Sequence, residues 1–127
     1  MDKSETTMDP TLYDHDLAVS IAGGNVNVAA ELLSLLLREL PSHDVALRKA
    51  FDAGNMEELR RASHKLHGSA SYCGTRALVA SARELESAIP AVEFERVTAA
   101  YENLLLEIRR LLDAYMGRIE ASESSRM

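Results

Sequence analysis

The chain has 127 residues, enough for one domain, with 46% apolar and 27% charged residues, which is the profile of a soluble globule rather than a disordered tail. A single cysteine, Cys73, excludes an internal disulfide framework and fits a reducing compartment. The net charge of −6 argues against nucleic acid as a partner, and no apolar run approaches the roughly 18 residues that cross a bilayer, so no direct membrane contact is expected.

In chain order the pattern predicts helices throughout. Residues 1–10 are polar and therefore expected to be a flexible tail, and MDKSETTMDP lacks the basic-then-apolar plan of a signal peptide. Thr11, with Asp14 three residues on, is expected to cap a short first helix ending before Gly23-Gly24. Asn25 opens an apolar-rich helix to about Glu39, which Pro41 is expected to break or kink, leaving a separate segment from Ser42 to Ala53. Gly54 and the pair Asn55/Glu58 separate that segment from a helix running to about Tyr72. Thr75 begins the next helix and Pro90 closes it; Leu78, Ala82, Leu85 and Ile89 keep a helical rhythm there. In the last helix Phe94, Val97, Tyr101, Leu104, Ile108, Leu111 and Tyr115 recur at threes and fours. Short connections make consecutive helices antiparallel. The expected architecture is all-α: an antiparallel up-and-down four-helix bundle with an extra short N-terminal helix, over residues 11–118, followed by a flexible tail at 119–127.

Charge is unevenly spread. No Asp or Glu occurs from Leu59 to Arg83, whereas Arg60, Arg61, Lys65, Arg76 and Arg83 fall inside. At about 100° per residue, Met56, Leu59, Ala62, Ser63, Leu66 and Ala70 share one face of the 55–72 helix and must face the bundle. His64 and Gly68 then lie one above the other on the outward face, flanked by Arg61 and Lys65, with His67 nearer the core boundary. A helical Gly costs about 1 kcal/mol relative to Ala. On an exposed face nothing in the core requires it; above a histidine it clears space for another body to reach the imidazole. With cations around it, His64 is suited to transient phosphorylation. His15 and His43 are expected to be solvated near helix ends, and Cys73 to be a small core residue.

The segment Ala62-Ser63-His64-Lys65-Leu66-His67-Gly68-Ser69-Ala70, followed by Gly74, Leu78, Leu85 and Glu86, resembles the histidine-containing phosphotransfer (HPt) domains of bacterial multistep phosphorelays. The likeness covers roughly residues 11–115, and the wording HKLHGSASYCG is most similar to the C-terminal HPt domain of BarA/GacS-type hybrid sensor kinases. One position departs: where the family often has Lys three residues after the histidine, this chain has His67. The resemblance implies that His64 is the phosphoryl-accepting nucleophile, that Lys65, with Arg61 and His67 secondary, offsets phosphoryl charge, and that Gly68 gives steric clearance. It further implies that Glu86, on the neighbouring helix, orients the histidine; Ser69, close to His64 in the chain, is a further candidate to hydrogen-bond the imidazole or a partner. The implied partners are the receiver domain of a hybrid kinase and that of a response regulator. The receiver is expected to bring Mg²⁺; this chain is expected to need no metal or cofactor of its own. The implied protein is a monomeric carrier without ATP-dependent kinase activity, cytoplasmic, and in nature part of a sensor kinase that tethers it to the inner membrane.

Two other readings compete. His64 and His67, three apart, suit a bundle metal site, but the carboxylate expected three residues before a ligating His is replaced by Arg61, and cations crowd the pair. Alternatively, the chain is a helical adaptor or regulatory bundle with an inert, non-phosphorylated His64.

Overall fold

The computed structural model describes residues 9–126, with side chains through residue 115. Five helices follow in order: α1 (His15–Ile21), α2 (Val26–Asp52), α3 (Met56–Ala70), α4 (Arg76–Ala88) and α5 (Phe94–Arg126). Helices α2 to α5 pack in succession, α2 also meets α5, and α1 leans on α2, which closes an all-α four-helix bundle with a short N-terminal helix. Of the two expected tails, residues 1–8 lie outside the described residues, and α5 runs as helical backbone through most of 119–127.

The starts of α1, α2 and α3 follow from a side-chain acceptor meeting backbone N–H groups that have no partner within the helix. The Asn25 side chain accepts from Val28 N–H and that of Asn55 from Glu58 N–H, both at 3.0 Å. The first cap is Asp14, which accepts from Leu17 N–H at 3.0 Å; it is not Thr11. Thr11 instead donates its N–H and hydroxyl to Asp9, and its carbonyl accepts from Ala77 N–H, so it ties the entry strand of chain to the start of α4. Thr75 stands at the start of α4 but does not cap it, because its buried hydroxyl turns back to the Ala70 carbonyl.

Pro41 neither breaks nor separates α2, which is continuous from Val26 to Asp52. The missing N–H and ring clash cost about 3 kcal/mol in a helix interior. Pro41 itself is exposed, on the side of α2 away from the core. Leu36, Leu40 and Leu47, on both sides of it, are fully buried on one stripe. Burying each is worth about 2 kcal/mol, so the continuous face outweighs the local penalty. The core adds Leu59 and Leu66 from α3, Leu78 and Leu85 from α4, and Leu104, Ile108 and Leu111 from α5. Phe51 stacks on Tyr101 at 3.9 Å between ring centroids, fastening α2 to α5. Phe94, expected in the α5 stripe, is 69% exposed at the helix start.

Gly74 sets the approach of the α3–α4 turn to α1. Its φ is +69°, and a Cβ there would lie 2.6 Å from the Asp14 carbonyl oxygen. Asp14 N–H donates to the Gly74 carbonyl at 2.9 Å, and Arg76 pairs with the Asp14 carboxylate.

His43 is buried, at 7% exposure, rather than solvated. With α2 unbroken, it lies on the inward stripe between Leu40 and Leu47 instead of at a helix end. Burial lowers its pKa from the ordinary 6.5; Glu39 opposes that shift and Lys65 adds to it. A base whose folded pKa lies below its unfolded one binds more protons when unfolded, so stability falls as pH drops from about 6.5 through the folded value. Denaturant titrations between pH 7.5 and 5 are expected to show this loss, and His43→Leu to flatten it.

Candidate functional site

The site is built on the outward face of α3 and completed by α4. The inward residues Leu59, Ser63, Leu66 and Ala70 are buried, so the helix has no freedom to rotate. Ser63, the polar member of that face, donates its hydroxyl back to the Leu59 and Arg60 carbonyls at 3.0 Å. This rotation leaves the His64 side chain 66% exposed. Gly68, one turn on, is exposed, and a Cβ built there meets nothing within 4 Å. The glycine therefore serves no packing purpose, and the space over the imidazole is open.

A carboxylate stands next to His64. Leu85 and Ala82 hold α4 against the core, and the Glu86 side chain projects toward α3. His64 Nδ1–H donates to Glu86 Oε2 at 2.5 Å, and His67 Nδ1–H donates to Oε1 at 3.2 Å. Burial tends to raise the Glu86 carboxyl, but the hydrogen bonds and charges of the two histidines outweigh it and hold its pKa below the ordinary value. Glu86 is therefore ionised at neutral pH and requires donors, which places the His64 proton on Nδ1 and leaves Nε2 with its lone pair. Along α3 itself no carboxylate lies within one turn of His64; the one that reaches it, Glu86, comes from the neighbouring helix.

The other anticipated residues divide clearly. His67 is half-buried, its ring at 88° to that of His64, and it is engaged by Glu86. Arg61 points toward the helix start, bridging Glu57 and Glu58, while Arg60 pairs with Glu57. Lys65 is exposed and makes no ion pair among the described residues. Ser69 makes no hydrogen bond to His64. Ser71 instead donates to the Gly68 carbonyl at 2.8 Å. Cys73 is buried, with its thiol against the Leu32 carbonyl, and burial pushes its pKa up to about 11, so it is not a reactive thiol. Beside Gly68 a groove opens between α2 and α3, lined by Leu32, Leu35, Glu39, Lys65 and Tyr72. Leu35 and Tyr72 are exposed apolar side chains on its rim.

No single helix among the described residues is long and apolar enough to cross a membrane. The family model described as Hpt domain matches residues 31–121. The chain is 29% identical over 120 residues to the sensor histidine kinase GacS of Pseudomonas protegens, covering 94% of this chain and 12% of that protein. It is 30% identical over 83 residues to the sensor protein GacS of Pseudomonas syringae pv. syringae, covering 65% of this chain and 9% of that one. It thus spans about a tenth of the length of these curated relatives. Among solved structures, the HPT domain of a hybrid histidine kinase from Shewanella superimposes with a TM-score of 0.79 at 26% identity, over 89% of this chain and 97% of that one. An outward histidine over a vacant glycine, carried on a four-helix bundle that matches this model over most of its length, places the chain in the Hpt domain family.

Proposed function

We propose that this domain is a phosphorelay intermediate: His64 accepts a phosphoryl group from an aspartyl phosphate on a receiver domain and passes it to the aspartate of a response regulator. The observation that carries this reading is the exposed His64 ring, anchored through Nδ1 to Glu86 beneath the open space at Gly68. In the forward step the Nε2 lone pair attacks phosphorus, the N–P bond forms as the P–O bond to the aspartyl oxygen breaks, and that oxygen leaves with the electron pair. The Nδ1 proton stays on the ring, whose growing positive charge is offset by Glu86, the role a buried carboxylate plays behind a catalytic histidine. Lys65 is the cation free to approach the phosphoryl oxygens; Arg61 is held by Glu57 and Glu58 and assists less. Any Mg²⁺ would be held by the acidic pocket of the partner receiver and would supply charge neutralisation to the phosphoryl group there. The apolar rim formed by Leu35 and Tyr72 beside Gly68 is the docking face for that receiver. The domain is read as cytoplasmic, as part of a longer sensor kinase, with no ATP-dependent kinase activity of its own.

Mixing the protein with a phosphorylated receiver and assaying for acid-labile, alkali-stable phosphate on this chain tests the reading. Wild type is expected to label; absence of label from a panel of receivers would refute it. Glu86→Gln keeps the shape but removes the anion. It is expected to slow labelling about 10–100-fold, less than the loss at a fully buried catalytic carboxylate because Glu86 is partly solvated.

A further inference from the structure

The same three side chains that orient the nucleophile also form a donor set. His64 and His67 lie three apart on α3 and both turn Nδ1 toward Glu86. One nitrogen or oxygen donor from each of the three residues falls within 4.8 Å of the other two. A tetrahedral Zn²⁺ with ligands near 2.1 Å sets its donors about 3.4 Å apart. Reaching that spacing would draw the three side chains together, and the His64 ring, 66% exposed, has room to turn. Two imidazoles and one carboxylate with an open fourth position is a donor set for Zn²⁺ and similar borderline ions, whereas Mg²⁺ and Ca²⁺ demand oxygen. The sequence argued against a metal here because Arg61 replaces the expected carboxylate and cations surround the pair. In the fold the carboxylate comes from α4, Arg60 and Arg61 are turned to Glu57 and Glu58, and Lys65 is the remaining flexible cation.

We propose that His64, His67 and Glu86 form a binding site for a zinc-type divalent cation, and that metal binding and phosphorylation at His64 exclude one another. A metal ion on Nδ1 takes the lone pair of that nitrogen, and the ring proton moves to Nε2. Nε2–H has no lone pair with which to attack phosphorus. Conversely, a phosphoryl group on Nε2 leaves the proton on Nδ1, where a metal would have to bind. By linkage, each event weakens the other by the same factor. The metal site itself does not depend on the relay; only the biological meaning of the exclusion rests on the transfer reading.

Isothermal titration of the whole chain with ZnCl₂, together with reaction of its histidines with diethyl pyrocarbonate followed by mass spectrometry, tests both parts without any receiver. Expected are one Zn²⁺ per chain, affinity at least tenfold weaker in His67→Ala and in Glu86→Gln, and wild-type affinity in Cys73→Ser and His15→Ala. Saturating Zn²⁺ is expected to protect His64 from the reagent while exposed His15 still reacts, and MgCl₂ to protect neither. No saturable binding, or equal affinity in all variants with circular dichroism showing them folded, overturns the site. Full reactivity of His64 with Zn²⁺ bound overturns the exclusion. Failure of receiver-dependent labelling alone would count against the relay and leave the metal site standing.

Discussion

His64→Ala is expected to abolish receiver-dependent labelling, with a loss on the order of 10³-fold or more, because no other group can replace the nucleophile. The same substitution is expected to change unfolding free energy by no more than about 1 kcal/mol, since the ring is 66% exposed and its one hydrogen bond lies at the surface. The other histidines offer no substitute. His43 is buried, His15 opens α1 with its Nδ1 against the Tyr13 hydroxyl and no carboxylate behind it among the described residues, and His67 is half-buried against Glu86. Stopped-flow or gel-based labelling, paired with urea denaturation, separates the two effects. Labelling retained in the variant would mean that phosphate arrives elsewhere.

The second large effect separates stability from transfer. Gly68→Gln is expected to stabilise the domain by about 0.5 kcal/mol, because Gly is the poorest non-proline helix former and the added Cβ meets nothing within 4 Å. Transfer is nevertheless expected to fall at least 10²-fold. In-line attack needs the partner's phosphorus within near-attack distance of Nε2, and an obstructing side chain one turn away displaces it by an ångström or more. Gly68→Ala is expected to give the largest gain in stability, about 1 kcal/mol, with a smaller loss of rate. A glycine retained for packing would show the opposite pattern, with stability lost and transfer tracking the folded fraction. Thermal unfolding and labelling on the three proteins tell the two apart.

What could be read from the chain, and what could not, follows from the range of the interactions involved. The inward stripe of α3 and the stripe Val97, Leu104, Ile108 and Leu111 of α5 are local periodicities, and they emerge in the fold where spacing puts them. The outward placement of His64 and Gly68 follows from the same rotation. Pro41 misled because its penalty is local while the burial that overrides it comes from three neighbouring helices. His43 follows from the same override: a helix break there would place it at a cap, whereas the continuous helix turns it inward. Glu86 was named as a candidate, but whether it reached His64 depended on the rotation of α4 against α3, which helical spacing does not encode. Its position directly after the buried Leu85, at the edge of the stripe, is the only local hint that it faces a neighbouring helix.

The central claim is that Glu86 holds Nδ1 of His64 and leaves Nε2 as the outward nucleophile. NMR correlation of phosphorus with imidazole nitrogen, on ¹⁵N-labelled protein phosphorylated by a receiver, tests it most directly. A single phosphohistidine at His64 with phosphorus on Nε2, and a proton retained on Nδ1, is the predicted result. Phosphorus on Nδ1, or on any histidine other than His64, would contradict it.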